Sequence, residues 1–271
     1  MSRSSSAGAG HITAVERAVV LLLLGSLATP AIAQTACPRG NLPAYAHNDY
    51  LNLRPLSDAL ALGYRGVEAD VFLVSGKLRL GHERLDAMRG AQLETTYLAP
   101  LSGLVSQCDP LIADKTPFLL TIELKTRSRE AFDSLVAAIA RYPELSRSDK
   151  ISIVMVGWYP SVDRLKSAGL HSQVVITGKS SSKAPDHAAL ASLDYGKTVG
   201  RAWRTSKGTR YWLDRIRAQR QDNPRIVIRA HNVPVNANVY RDLLSAGVDI
   251  IGTKDLEKTK VVLAASVTSS I

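Results

Sequence analysis

"RGVEADVFL", residues 65–73, has the apolar, β-branched composition of a buried strand, yet it contains Glu68 and Asp70. Residues two apart on a strand share a face, so both carboxylates point to one side and the apolar residues to the other. An isolated ionised group costs several kcal/mol to bury. The stretch therefore predicts a buried strand that carries a site able to offset this cost.

Short apolar strands alternate with helical segments along the rest of the chain. Helical spacing is seen, for example, in Phe132, Leu135 and Ile139. Eight such strands predict a (β/α)8 TIM barrel, with a doubly wound open sheet as the alternative. No G-x-G-x-x-G follows a strand, which argues against a dinucleotide-binding sheet. The predicted strands are residues 42–47, 65–73, 117–125, 150–157, 172–178, 190–196, 225–231 and 248–253.

The first 33 residues have the features of a secretory signal peptide. Arg3 and Arg17 precede a short apolar run that ends in Ala31-Ile32-Ala33. An uncleaved membrane anchor is the alternative, but the run is short for a span and contains Pro30. We predict cleavage of residues 1–33, a secreted or periplasmic location, and one domain over residues 34–271.

The two cysteines and the net charge fit an exported protein. Cys37 and Cys108 are the only cysteines, and an even number in an oxidising compartment favours one disulfide over two free thiols. The formal net charge is +10, but the basic residues are scattered and form no recognition helix, so nucleic-acid binding is not predicted. A basic exported protein would attract phosphorylated substrates and make peripheral contact with anionic membranes. The oligomeric state is not predicted.

A second predicted strand adds to the polar face of the first. Glu123 and Lys125 share a face in "PFLLTIELK", while His47 ends the first strand and His82 follows the hairpin after the second. These positions lie near the C-terminal strand ends, where barrel enzymes carry their catalytic residues. The carboxylates of Glu68, Asp70 and Glu123 are hard ligands that suit Mg²⁺ or Ca²⁺.

An ion-pair network is the alternative to a metal site. In that arrangement Lys125 would neutralise Glu123, and Arg65 or Arg79 would pair with the other two carboxylates. A Glu-x-Asp pair, a glutamate on the next strand and two histidines together favour the metal site.

The motifs "AHND", "VEADVFLVSGKLRLGHE", "TIELKT" and "AGVDIIGTKDL" resemble the glycerophosphodiester phosphodiesterase and phosphatidylinositol-specific phospholipase C-like superfamily, whose fold is a TIM barrel. The stretch that begins with the AHND motif is most similar to the branch of the altered-inheritance-of-mitochondria proteins. Sphingomyelinase D toxins share features of the second and third strands. The resemblance spans residues 43–257 and is densest over residues 46–82 and 119–126.

The resemblance implies a role for each residue of the site. It implies that His47 and His82 are the general acid and base, and that Lys125 contacts the substrate phosphate. We predict that Asn48 also binds this phosphate. The resemblance also implies that Glu68, Asp70 and Glu123 hold the divalent cation. The chain departs from the glycerophosphodiesterases at three positions, which are Asn48, Glu83 and Gly252.

These features predict a metal-dependent phosphoric diester hydrolase that acts on a glycerophosphodiester or a phospholipid-type substrate. Imidazole suits proton transfer because the unperturbed pKa of a histidine side chain is about 6.5, and His231 at another strand end could compete for a role. Three alternatives stay open: a cyclising lyase of the sphingomyelinase D type, a non-catalytic barrel that binds phosphorylated headgroups, and a barrel glycosidase with paired carboxylates.

Overall fold

The computed structural model describes residues 37–38, 40–114, 116–176, 188–196, 213–214, 216–221 and 224–268, all of which belong to one unit, Ala36–Ile271. The predicted signal peptide lies outside these residues. The prediction of a single domain over residues 34–271 stays a prediction. No helix among the described residues is long and apolar enough to cross a membrane.

The strands follow the predicted alternation closely. All eight predicted strands are present, and a short ninth strand forms a hairpin with the second. The described strands are β1 (Leu42–Ala46), β2 (Tyr64–Val74), β3 (Lys77–Leu80), β4 (Phe118–Leu124), β5 (Ile151–Gly157), β6 (His171–Ile176), β7 (Ala188–Asp194), β8 (Val227–His231) and β9 (Ile250–Thr253).

The sheet closes into a barrel of eight parallel strands. The neighbours run in the order β1, β2, β4, β5, β6, β7, β8, β9, and β9 pairs again with β1. Each of these pairs is parallel, whereas β3 is antiparallel to β2 and lies outside the ring. The fold is therefore the predicted (β/α)8 TIM barrel and not an open doubly wound sheet.

Helices follow most of the strands, and several begin at a side-chain cap. Ser128 and Ser161 each accept a hydrogen bond from a backbone N–H in the first turn of the helix that follows, which satisfies a donor that the helix itself leaves unpaired. Of the predicted helix over residues 208–223, the described residues 213–214 and 216–221 are helical. The helices are α1 (Ser57–Ala61), α2 (Arg84–Arg89), α3 (Ala99–Gln107), α4 (Arg129–Ala140), α5 (Pro143–Arg147), α6 (Val162–Ser167), α7 (Ala237–Ser245) and α8 (Leu256–Thr268), with a 3₁₀ turn at Asp49–Leu51 and a π-helical turn at Glu94–Leu98.

The barrel interior is apolar at one end and polar at the other. A cluster of five buried residues fills the interior at the apolar end. In four of the five strands, the next residue that faces inward, two positions further along the chain, is polar or a glycine. Because alternate residues share a face, this apolar layer closes the barrel beneath the polar residues. The cluster consists of Tyr45, Leu119, Val154, Leu190 and Ile250.

The hairpin between β2 and β3 brings the chain back across the end of the barrel. Ser75 and Gly76 form its two-residue turn, and both have positive φ, 48° and 72°. Two positive φ angles are typical of the tight hairpin turn whose twist matches that of the strands. The short return through β3 places His82 at the C-terminal end of β2.

The predicted disulfide is present between Cys37 and Cys108, with the two Cα atoms 5.6 Å apart. Cys108 directly follows α3, and the ammonium group of Lys150 donates hydrogen bonds to the carbonyl oxygens of Val105 and Cys108. The disulfide thus attaches the start of the described chain to the end of a helix that packs on the barrel.

We expect the disulfide to stabilise the fold by restricting the unfolded chain. It spans 71 residues of sequence, for which the loop-closure model gives roughly 4 kcal/mol. The Cys37→Ser/Cys108→Ser variant should lose about this free energy of unfolding in urea titrations. An unchanged denaturation midpoint, or two alkylatable thiols in the native protein, would show that the bond does not form.

Candidate active site

Three carboxylates meet at the polar end of the barrel. Glu68 and Asp70 lie on β2, and Glu123 lies on β4, where the parallel register places it opposite Asp70. One oxygen from each carboxylate lies within 4.8 Å of the other two. Glu68 is 3% exposed and Asp70 1% exposed. The structure thus brings together the three residues that the sequence assigned to a metal.

Two cations compensate part of this charge. The Lys125 ammonium lies 2.9 Å from Oε1 of Glu123 and 3.4 Å from Oδ2 of Asp70. The Arg229 guanidinium donates to Oε2 of Glu68 at 3.1 Å, and both side chains are almost fully buried. The sequence did not suggest Arg229 as a partner.

The arginines proposed for the ion-pair alternative were wrong. Arg65 lies 4.0 Å from Asp114, and Arg79 donates to the carbonyl oxygen of Gly90. Within the part of the chain that the structure describes, neither guanidinium pairs with the acidic cluster. The ion pairs of the cluster involve Lys125 and Arg229 instead.

Burial and the neighbouring charges shift the pKa values of this cluster. Burial raises the pKa of Glu68 above its usual value, against the lowering effect of the Arg229 guanidinium. Burial alone would lower the pKa of Lys125, but its hydrogen bond to Glu123 and the Asp70 charge raise it overall. Lys125 is therefore a firmly charged ammonium beside the carboxylates.

Asp70 is the most heavily contacted of the three carboxylates. Its Oδ2 accepts a hydrogen bond from the Tyr50 hydroxyl at 2.8 Å and lies 3.0 Å from Nδ1 of His82. Its Oδ1 is buried and makes no hydrogen bond within the described part of the chain. A buried carboxylate oxygen without a partner is costly unless an ion or a water completes its coordination.

The donor set fits a hard divalent cation. Three carboxylates face two protein cations, so one negative charge is left uncompensated within the described cluster. Oxygen ligands from Glu68, Asp70 and Glu123, with the unpartnered Oδ1 of Asp70 among them, match the preference of Mg²⁺ and Ca²⁺ for carboxylates.

His47 and His82 approach the cluster from two sides. The His47 backbone N–H donates to the carbonyl oxygen of Thr253 on the neighbouring strand at 2.8 Å, and its Nε2 lies 3.6 Å from Oε2 of Glu68. The side chain of His47 is 22% exposed and that of His82 is 53% exposed. The two predicted acid–base residues therefore both adjoin the carboxylates, His47 within the barrel and His82 at its rim.

A buried carboxylate shapes the loop that follows His47. Asp49 is fully buried and accepts hydrogen bonds from the Leu56 backbone N–H and the Tyr97 hydroxyl. The preceding residue, Asn48, has a left-handed backbone with φ of 54°, which asparagine tolerates better than most residues. The side-chain amide of Asn48 lies 3.5 Å from Nδ1 of His82. The predicted contacts of Asn48 and Lys125 with a phosphate stay predictions.

The wall of the barrel formed by β7 and β8 is also polar. Arg229 stacks over the Tyr45 ring, with its guanidinium carbon 4.6 Å from the ring centre, and donates to the Ser192 hydroxyl. Asp194 and His231 follow on the same faces of these strands, with Nε2 of His231 3.7 Å from Oδ2 of Asp194. Sequence analysis missed Arg229 and Asp194, although both share the signal that identified Glu68: a charged residue inside an apolar strand.

The first part of the described chain is similar to a known protein family. Residues 39–118 match the model of the AIM6-like phosphodiesterase domain. An altered inheritance of mitochondria protein 6 homolog from Arthroderma benhamiae is 32% identical over 84 residues, which is 29% of this chain and 26% of that protein. The match thus spans about a quarter of the relative's length.

Solved structures share the barrel architecture at low sequence identity. The tryptophan synthase complex from Pyrococcus furiosus aligns over 83% of this chain and 98% of its own with a TM-score of 0.50 and 11% identity, which is a likeness of fold. A glycerophosphodiester phosphodiesterase from Agrobacterium tumefaciens aligns over 82% of this chain and 99% of its own with a TM-score of 0.49 and 14% identity. The predicted resemblance to the branch of the altered-inheritance-of-mitochondria proteins is confirmed over residues 39–118.

Proposed function

We propose that this protein is a phosphoric diester hydrolase that requires a divalent cation and acts on a glycerophosphodiester or a phospholipid-type substrate. The observation that carries the proposal is the convergence of Glu68, Asp70 and Glu123 at the end of the barrel, beside a lysine and two histidines. The matching AIM6-like phosphodiesterase domain supports the reaction class.

The charges of the site suit an anionic diester. When bound by Glu68, Asp70 and Glu123, Mg²⁺ or Ca²⁺ would act as a Lewis acid on a non-bridging phosphoryl oxygen. Lys125 lies beside the same carboxylates and carries a firmly held positive charge. It would bind a second non-bridging oxygen and stabilise the charge that develops in the transition state.

His47 is suited to take the proton of the attacking hydroxyl. Burial, followed by the positive charges of Arg229 and Lys254, lowers the pKa of His47 to about 4. The imidazole is thus neutral at physiological pH and has a nitrogen lone pair for a proton. The attacking group is water in the hydrolytic reaction, and a hydroxyl of the substrate itself in the cyclising alternative. A second imidazole gives a proton to the leaving oxygen, and the family resemblance makes His82 the partner of His47 in this acid–base pair.

The disulfide and the net charge support an expectation about the cellular setting. The disulfide between Cys37 and Cys108 supports an oxidising compartment, in line with a secreted or periplasmic location. The net charge of +10 supports electrostatic attraction to phosphorylated substrates and peripheral contact with anionic membranes. The substrate would then reach the barrel from the cell envelope or the medium.

Removing one metal ligand should abolish both cation binding and turnover. We expect wild-type protein to bind Mg²⁺ or Ca²⁺ in calorimetry and to release p-nitrophenol from bis(p-nitrophenyl) phosphate only when the cation is present. Asp70→Asn should lose both properties and keep its circular dichroism spectrum, because the amide keeps the shape and removes the charge. Glu130→Gln, an exposed change on α4, is the matched control and should keep both.

Two results would contradict the proposal in different ways. Full turnover in the presence of a chelator would exclude the role of the cation. Tight cation binding without turnover of any phosphodiester would favour the non-catalytic headgroup-binding barrel.

Loss of the base should affect the chemical step more than substrate binding. His47→Gln should lower kcat by roughly 10²–10⁴-fold, the usual contribution of a general base, with little change in KM. Steady-state kinetics on bis(p-nitrophenyl) phosphate measures both parameters, with the exposed His171→Gln as control. A rise in KM at unchanged kcat would make His47 a binding residue.

The low pKa of His47 should also make the metal-free protein sensitive to acid. An unfolded histidine has a pKa of about 6.5, so between pH 6.5 and 4 the unfolded chain binds more protons at this residue than the folded chain does. The free energy of unfolding therefore rises with pH across this window. Urea titrations should show a steeper loss between pH 6.5 and 4.5 for wild type than for His47→Gln. Equal slopes would show that His47 titrates normally.

A further inference from the structure

The two oxygens of the Asp70 carboxylate have different surroundings. Oδ2 accepts a hydrogen bond from the Tyr50 hydroxyl at 2.8 Å, and it lies 3.0 Å from Nδ1 of His82 and 3.4 Å from the ammonium group of Lys125. Oδ1 is buried and has no hydrogen-bond partner among the described residues. Because a carboxylate oxygen has two lone pairs, these contacts use the full capacity of Oδ2. Oδ1 is therefore the Asp70 oxygen that is left for a cation.

Tyr50 is the one of these three contacts that substrate does not displace. In the proposed reaction His82 transfers a proton and Lys125 binds a phosphoryl oxygen, so both change partners when substrate arrives. The side chain of His82 is also 53% exposed. Tyr50 is half-buried, and its ring packs against the hydrophobic core. Its hydroxyl donates to the carboxylate without adding a charge. Tyr50 is thus the contact that holds Oδ2 of Asp70 throughout the reaction.

The loop that carries Tyr50 is anchored to the barrel. Tyr50 lies in the 3₁₀ turn after β1, directly after the fully buried Asp49. Oδ1 of Asp49 accepts a hydrogen bond from the side-chain amide of Asn52 at 3.0 Å. Its Oδ2 accepts from the Leu56 backbone N–H and the Tyr97 hydroxyl. These hydrogen bonds fix the turn, so the phenol hydroxyl has a defined position beside the acidic cluster.

We infer that Tyr50 is a positioning residue that restricts Asp70 to one ligand oxygen, Oδ1, and thereby favours Mg²⁺ over Ca²⁺ at this site. The inference rests on the metal site of the proposed function. Mg²⁺ requires near-octahedral geometry at about 2.0–2.1 Å, whereas Ca²⁺ takes roughly 6–8 oxygens at about 2.3–2.6 Å and accepts bidentate carboxylates. A carboxylate that is held through Oδ2 does not turn to offer both oxygens, which suits the smaller ion.

The other two carboxylates are held in the same way. Oε2 of Glu68 accepts a hydrogen bond from Arg229 at 3.1 Å, and Oε1 of Glu123 lies 2.9 Å from the ammonium group of Lys125. Each carboxylate of the cluster therefore has one oxygen in contact with a protein donor and one left for a cation. Three single-oxygen ligands leave the remaining positions of an octahedron to water and substrate oxygens, which is the usual arrangement around Mg²⁺.

The ratio of the Mg²⁺ and Ca²⁺ dissociation constants tests the inference. Tyr50→Phe removes the hydroxyl and keeps the ring. In calorimetry it should weaken Mg²⁺ binding roughly 10–100-fold, the usual effect of losing a hydrogen bond to a metal ligand, and leave Ca²⁺ binding nearly unchanged. Tyr142→Phe is the matched control, because the Tyr142 hydroxyl donates to Oε1 of Glu94, a carboxylate outside the cluster, at 3.1 Å. This control should change neither constant.

Turnover at high Mg²⁺ concentration gives a second measurement. The circular dichroism spectrum of Tyr50→Phe should match that of the wild type, because only one hydroxyl is removed. Its turnover of bis(p-nitrophenyl) phosphate should be low at the Mg²⁺ concentration that half-saturates the wild type. It should recover when Mg²⁺ saturates the variant, because the groups that act on substrate are intact.

The other outcomes separate this inference from the proposed function. An equal loss of Mg²⁺ and Ca²⁺ affinity in Tyr50→Phe, or no loss of either, would reject the selective role of Tyr50. Turnover that stays low at saturating Mg²⁺ would reject a role confined to positioning the metal ligand. A wild-type protein that binds neither cation would reject the metal site and this inference with it. The expected shift in binding, without turnover of any phosphodiester by the wild type, would support the inference and reject the proposed hydrolase.

Discussion

The convergence of three carboxylates, two of them buried, at one end of a closed barrel is the constraint on which the rest of the site depends. Glu68 and Asp70 are almost completely removed from water and lie beside Glu123. Like charges at this distance destabilise one another unless cations lie among them. Lys125 and Arg229 supply two positive charges from opposite sides, and a divalent cation among the carboxylates would more than balance the remainder.

Much of the surrounding structure serves to hold that cluster and to bring proton carriers to it. The apolar layer that contains Tyr45 fills the barrel beneath the carboxylates, and the same ring stacks on Arg229. The buried Asp49 fixes the loop after β1, so that the Tyr50 hydroxyl reaches Asp70. Ordering these polar groups before substrate arrives is what electrostatic catalysis requires, because the site then needs little rearrangement in the transition state.

Local sequence patterns were sufficient for the barrel and for one half of the site. Strand alternation depends on near neighbours in the chain, so the eight strands and the shared face of Glu68 and Asp70 were predictable. The partners across the barrel were not predictable in the same way. Glu68 pairs with Arg229, which is 161 residues away in the sequence, because β8 lies across the barrel interior. The arginines predicted as partners, Arg65 and Arg79, are nearer to the carboxylates in the sequence. Arg229 and Asp194 have the same sequence pattern as Glu68, a charged residue at an inward-facing position of an apolar strand, so this pattern predicts them too.

The most direct test of the account is the position of a bound cation. Crystals grown with Mn²⁺, which replaces Mg²⁺ and gives an anomalous signal, should show one strong peak roughly 2.0–2.6 Å from carboxylate oxygens of Glu68, Asp70 and Glu123. The Oδ1 atom of Asp70, which has no hydrogen-bond partner among the described residues, should be one of the ligands. No peak at saturating Mn²⁺, with Lys125 still paired to Asp70 and Glu123, would contradict the account and leave an ion-pair network in place of a metal centre.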